Sequence, residues 1–218
     1  MRDTKDSQFL SDTSNRESLA NHLEQLRRLP GIGQKGAERL AIRILSWDEP
    51  EVEEFAKAIV FAKRRLHPCP TCGMLTDKET CEICRNESRD HRTIMVVGSW
   101  QDVMAMENIN EYTGAYHVLG GLISAQKGVM PEDVNLASLI PRADGAKEVI
   151  LALSPTLDGE TTSAYIEKVL HNKYPNLTIT RIARGIPFNG SLDYADALTL
   201  SHALDDRLPI KANKEEKL

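Results

Sequence analysis

Cys69-Pro70-Thr71-Cys72 and Cys81-Glu82-Ile83-Cys84 hold all four cysteines of the chain, as two Cys-x-x-Cys knuckles eight residues apart. Four thiolates at this spacing can converge on a tetrahedral zinc ion, and a closed four-sulfur shell leaves no open position for substrate. The chemistry implied is structural. One zinc ion per chain supplies folding energy to a short loop that could not bury a core of its own. Two disulfides, or a redox Cys-x-x-Cys, are the alternative uses of the same residues. His67, just ahead of the knuckles, is expected to be a bystander. Lying between two longer segments, the loop (67–90) is expected to act as a hinge-pin. Loss of metal should then disturb the placement of the two segments and leave an α/β sheet folded.

A second group of residues suggests phosphate chemistry. Between Arg27 and Arg43, five basic residues (Arg27, Arg28, Lys35, Arg39, Arg43) face one acidic residue, Glu38, a local charge of +4 in a chain whose net charge is -5. They flank Leu29-Pro-Gly-Ile-Gly33. Gly31 and Gly33 would let backbone N–H groups lie bare at the start of a following helix, where the helix dipole favours an anion. Contacts of this kind go to backbone phosphate, so binding would be sequence-independent and salt-sensitive. The plain alternative is a solvated basic face. Gly31-x-Gly33-x-x-Gly36 also fits a dinucleotide-binding loop, but such a loop needs a strand before it and an acid on a second strand after it. Here a leucine-spaced helix precedes, and the residues near Glu51 to Glu54 read as helical.

The elements that must position these groups follow from periodicity. Leu19, Leu23 and Leu26 predict a helix from about Ser18 that ends at Leu29-Pro30, and Ala37, Leu40, Ala41, Ile44 and Leu45 predict the next. Asp48 and Glu51 predict a capping box for a third helix, with Pro50 in its first turn and a core stripe of Val52, Phe55, Ile59 and Leu66. Lys63-Arg64-Arg65 suits the dipole at its end. Residues 16–66 thus form a helical domain. From 91 to 205 the pattern changes. Strands are expected at Thr93–Val97, Ala115–Leu119, Glu148–Leu153 and Leu177–Ile182. Helices are expected around Val103, Met104 and Met106, from Glu160 to Asn172, and from Asp196 to Leu204. The methionines read as core. This alternation predicts a mainly parallel α/β sheet, with ligand positions near Gly98, Gly120-Gly121 and Ser154-Pro155-Thr156 at the strand ends. Residues 1–15 and 206–218 read as tails. No apolar run is long enough to span a membrane, and the first residues, Met1 to Leu10, show no apolar core of a secretory signal. Thiols reserved for metal suit a reducing compartment, so a cytoplasmic location is expected.

Several of these blocks, in order, carry a resemblance: Leu29-Pro-Gly-Ile-Gly-Gln-Lys-Gly-Ala-Glu-Arg39, the four-cysteine knuckles, Tyr116-His-Val-Leu119, Ser154-Pro-Thr-Leu-Asp-Gly-Glu160 and Thr180-Arg-Ile-Ala-Arg-Gly-Ile-Pro187. From about residue 16 to 210 the chain resembles the RecR family of bacterial recombination mediators. The resemblance implies an α+β multidomain protein: an all-α helix-hairpin-helix domain, a four-cysteine zinc finger and an α/β Toprim domain. It implies a non-enzymatic homo-oligomer, a tetrameric ring, that binds single- and double-stranded DNA. With RecO, and in some settings RecF, such a ring loads RecA recombinase onto single-stranded DNA covered by its binding protein, in the cytoplasm at the nucleoid. Lys35 and Arg39 fall on the family's basic hairpin positions.

The sequence also departs from related patterns. Catalytic Toprim enzymes carry a glutamate after the first strand and an Asp-x-Asp pair later, because acidic oxygens hold the magnesium used in phosphoryl transfer. Gly98 stands where the first glutamate is expected, and Ser154 and Thr156 replace the pair. Leu122 stands where the family often has histidine, and Ala125-Gln126-Lys127 replaces a Pro-Leu-Asp run. Asp158 and Glu160 remain, and are assigned to partner contact or plain solvation rather than to catalysis. Asp102, Glu107 and Glu111 are expected to be helix-surface charges. A metal-dependent DNA-cleaving Toprim enzyme is the alternative function, and a zinc-stapled interaction module without DNA contact is a third.

Overall fold

The computed structural model describes residues 13–187 and 189–207, and the chain divides into two compact units, 1–65 and 66–218. Most of the segments read as tails lie outside the described residues.

The first unit is a helical hairpin with a third helix. Helix α1 spans Thr13–Arg27, α2 Gln34–Leu45 and α3 Glu49–Arg65. Helix α1 therefore begins earlier than the leucine spacing indicates, inside the stretch read as a tail. Between α1 and α2, Gly31 adopts a φ of +79°, a left-handed conformation that a side chain would strain. A helix before the glycines and another after them removes the dinucleotide-binding reading. Asp48 and Glu51 form the reciprocal cap: Glu51 N donates to Asp48 Oδ1 at 3.1 Å and Asp48 N to Glu51 Oε2 at 3.3 Å.

Burial in this unit differs from the expected stripes. Only Ala37 and Ala41 of α2 are buried, and no residue of α3 is. Leu45 is 65% exposed, Phe55 45%, Ile59 55% and Leu66 42%. The period of 3.6 marks which face of a helix favours burial but not what covers it: the Trp47 ring meets Phe55 edge-on at 5.5 Å between centroids, and Phe55 still stays exposed.

The second unit opens with the cysteine loop. A two-residue ladder pairs β1 (His67–Pro68) with β2 (Leu75–Thr76), and a short helix, α4, spans Glu82–Arg85. Then come β3 (Asp90–Val97), α5 (Trp100–Glu107), β4 (Gly114–Val118), α6 (Leu139–Arg142), β5 (Glu148–Ala152), α7 (Leu157–Lys173), β6 (Thr178–Arg181) and α8 (Ala197–Asp205). The sheet is wholly parallel in the order β4-β3-β5-β6. All four strands, and α5, α7 and α8, stand within a few residues of their expected places, while α6 has no counterpart in the expected elements.

Alternation along the strands divides the core into two faces. Ile94, Val96, Val149 and Leu151 pack with Ile166 and Leu170 of α7 on one side. Met95, Val97, Tyr116 and Val118 pack with Val103 of α5 on the other. Met106 joins the second face, while Met104 is 48% exposed and faces solvent, contrary to its reading as core. The second face is short of cover, because α5 has only eight residues. Met74 and Ile83 of the cysteine loop complete it, and the same two side chains pack against Cys69, Cys72 and Cys81.

Candidate metal centre and nucleic-acid interface

The ligand atoms of Cys69, Cys72, Cys81 and Cys84 all lie within 4.8 Å of one another, the first three buried. Among the described residues this is the one group of three or more His, Cys, Asp or Glu side chains placed to share a metal ion. The local fold supplies donors that favour thiolate: Met74 N points to Cys72 Sγ (3.4 Å), Cys81 N to Cys69 Sγ (3.5 Å) and Cys84 N to Cys81 Sγ (3.5 Å). The sulfurs also crowd one another, with Cys72 and Cys81 3.5 Å apart. Hydrogen bonding from Cys72 holds the Cys81 thiol down to about 2, and the same contact pushes the Cys72 thiol up. Four thiolates in so small a volume repel, and a divalent cation removes that conflict. The donor set and its closure fit structural zinc. His67 stands apart on β1, exposed, its Nδ1 3.2 Å from Pro68 O.

The loop is fastened to the open edge of the sheet. Val118 N of β4 donates to Cys72 O at 2.6 Å, so a residue of the cysteine cluster occupies a ladder position that an edge strand leaves free. Gly73, at φ +77°, lets the two backbones meet: a Cβ there would overlap Val118 O and lie 2.8 Å from Asn135 Nδ2. Asn135 Nδ2 donates to Val118 O (3.1 Å), and Asn135 O lies 2.6 Å from Nε2 of fully buried His117. On the other side of that ring, Arg142 donates to Nδ1 at 3.0 Å. Burial lowers the His117 pKa to about 4, so the ring is neutral and accepts from Arg142 while donating to Asn135. The exit of the loop is held as well. Arg89 pairs with Glu107 and donates to Gly114 O (3.0 Å), and Tyr116 OH donates to Glu107 (2.7 Å). The expected hinge-pin is thus built into the second unit, as cover for one face and one edge of its sheet.

Two readings of acids as surface charge are corrected here. Glu107 is in that partly buried network, and Asp102 closes the capping box of α5 with Ser99 N (2.8 Å) and Ser99 Oγ (2.9 Å). Glu111 is exposed, as expected, but lies in the loop between α5 and β4 rather than on a helix. No sequence pattern signals the His117, Asn135 and Arg142 chain, because its partners lie 18 and 25 residues from the histidine.

Asp158 and Glu160 lie in the first turn of α7, but each has its own partner. Asp158 pairs with Lys127 at 3.1 Å, which holds its carboxyl below the usual range, and Glu160 pairs with Arg184 at 2.8 Å. Thr156 serves as the helix cap, accepting from Gly159 N (3.2 Å). A Cβ on Gly159 would run into Ser154 O, so the turn that carries these acids depends on that glycine.

In the first unit, Arg27, Arg28, Lys35, Arg39 and Arg43 are all exposed. None makes an ion pair among the described residues, and Arg28 donates to Gln25 (2.9 Å). Gly33 is the N-cap of α2 and offers no side-chain acceptor, so the first-turn amides are open to an external one. Bare amides, a helix N-terminus and unopposed cations together make a surface suited to phosphate.

The sequence also matches known families. Residues 19–63 match the RecR helix-hairpin-helix model, 66–86 the RecR four-cysteine zinc finger model, 92–183 the Toprim domain and 185–207 the RecR C-terminal model. Relatives named Recombination protein RecR include one from Gloeothece citriformis, 48% identical over 197 residues that cover 89% of this chain and 98% of the relative. One from Limosilactobacillus reuteri is 46% identical over 194 residues, 88% of this chain and 96% of the relative. Another, from Streptococcus gordonii, is 48% identical over 191 residues, 87% and 96%. With four domain models matched along its length and relatives aligned over nearly their whole length, the chain belongs to the RecR family.

Proposed function

We propose that this protein is a mediator of DNA recombination and repair that binds DNA through its helical hairpin and has no catalytic step of its own. The observation that carries this reading is the uncapped helix N-terminus that follows the Gly31–Gly33 turn, flanked in sequence by five exposed basic residues without ion pairs among the described residues, in a chain of negative net charge. A single patch of this size binds weakly, and a ring-like homo-oligomer, proposed as a tetramer, would gather several around one strand and raise the affinity by multivalency. The exposed stripe of Phe55 and Ile59 supports assembly, since apolar faces of this kind favour burial against a partner. One structural zinc ion per chain is held by Cys69, Cys72, Cys81 and Cys84. Asp158 and Glu160 are assigned to a surface for RecO, with RecF in some settings, in loading RecA onto single-stranded DNA. A cytoplasmic, nucleoid-associated site of action suits this role. No described helix is long and apolar enough to cross a membrane. The two remaining acids sit in separate ion pairs, which supports the non-enzymatic reading over metal-dependent cleavage.

Changing Lys35 and Arg39 together to alanine should weaken binding to single- and double-stranded DNA about tenfold or more and lower the slope of log affinity against log salt by about two. Unchanged binding in a salt titration would remove the hairpin assignment.

A further inference from the structure

A cavity of about 460 Å3 opens at the carboxyl ends of β5 and β6, between α7 and α8. One wall is apolar, formed by Leu151, Leu153, Leu157, Ile182 and Leu198, and polar side chains, Glu160 and His202 among them, line the rest. Its size and its place at the strand ends are those of small-molecule sites on parallel sheets. Two arginines line it, Arg181 and Arg184, and the second is the more enclosed, its side chain 14% exposed against 52%. Its Nη1 is shared, donating to Glu160 at 2.8 Å and lying 3.4 Å from His202 Nε2. Its Nε–H is fully buried and has no acceptor. A buried guanidinium donor without a partner is costly, and neither neighbour offers it a second oxygen. Glu160 is 47% exposed, so its grip on Arg184 is at the solvent rim and is readily exchanged.

We propose that this cavity binds a small organic anion: an apolar body against the leucine wall, with one carboxylate, sulfonate or phosphate oxygen taking the place of Glu160 on the Arg184 guanidinium. The site is separate from the hairpin, and the proposal does not rest on the DNA-binding reading.

The test is titration of the full-length protein with 1-anilinonaphthalene-8-sulfonate, read by fluorescence, beside its uncharged analogue N-phenyl-1-naphthylamine. The expected result is saturable binding of the sulfonate at one molecule per chain, with the analogue bound roughly tenfold more weakly. Arg184→Met should weaken sulfonate binding by a similar factor, and Arg184→Lys should restore part of it. Ala183→Trp, at the exposed mouth, should abolish it, with far-ultraviolet circular dichroism confirming that each variant is folded. Equal affinity of the wild-type protein for the two probes overturns the proposal without need of any variant. Absence of saturable binding overturns it too, as does sulfonate affinity unaltered by Arg184→Met or by Ala183→Trp. A fall in native mass caused by Ala183→Trp would assign the cavity to a second copy of the chain and equally overturn a small-molecule site.

Discussion

The two units of this chain meet their need for burial in opposite ways. In the sheet unit the central strands find cover within the chain: α7 lies over one face, α5 and the cysteine loop over the other, and a cysteine carbonyl closes the edge at Val118. In the helical unit two alanines are buried, while Ile42, Leu45, Phe55, Ile59 and Phe61 stay open. Hydrophobic burial is the main favourable contribution to folding, so the first unit has little of its own to set against chain entropy. The sheet unit holds a core of its own, although Leu157, Leu192, Leu198 and Leu204 toward its C-terminal end stay exposed. The helical unit is a surface, with one side apolar and another charged, and its stability is tied to what it touches.

The strongest way to break that contrast is to remove the metal. Zinc in small cysteine sites contributes on the order of 10 kcal/mol, and here the loop it organises is shared with the sheet. Chelation, or Cys72→Ser, should abolish protection of the Val118 amide in hydrogen exchange and markedly lower the unfolding temperature of the sheet unit. A sheet that melted unchanged, with Val118 still protected, would return the loop to the role of a local staple.

Gly73→Ala probes the same junction with the cysteines intact. The left-handed φ and the overlap with Val118 O together should cost roughly 3 kcal/mol in denaturant unfolding. A loss below about 0.5 kcal/mol would mean that loop and sheet are not held in register.

His117 gives the contrast a pH signature. Its folded pKa of about 4 lies below the ordinary histidine value of 6.5, so between these values the unfolded chain binds more protons. Stability should be at its full value above 6.5, fall by up to about 3 kcal/mol as the pH drops to 4, and lose nothing further to this group below that. Urea unfolding at a series of pH values should show this slope, and His117→Asn should flatten it.

Ile59→Asp should have the smallest effect on the stability of a single chain, within about 0.5 kcal/mol for an exposed site. Its expected effect is on native mass, which should fall as the apolar stripe loses its partner copy. Unaltered mass would leave the stripe without an assigned cover.

Much of the fold is legible in the residues. The parallel sheet follows from four short β-branched runs with helices between them, the α3 cap from Asp48 and Glu51, and the metal site from two knuckles whose chemistry is local in sequence. Other features were not legible because they depend on residues far apart in the chain. Leu45 and Ile59 show the period of a buried face, yet the period is the same whether the cover is this chain or another. Glu107 has the spacing of a surface acid, and its partner Arg89 arrives from the end of the cysteine loop, 18 residues away. Asp158 and Glu160 look like a pair in sequence, but side chains two apart on a helix diverge, and Lys127 and Arg184 draw them to different partners.

The sequence by itself determined the main elements, the clustering of the four cysteines and the glycine turn, because caps, knuckles and glycine turns are set by neighbours a few residues apart. Only the tertiary structure decided where the cysteine loop is anchored. That depends on Val118 presenting an unpaired edge amide to Cys72 and on Met74 and Ile83 filling a face that an eight-residue helix leaves bare.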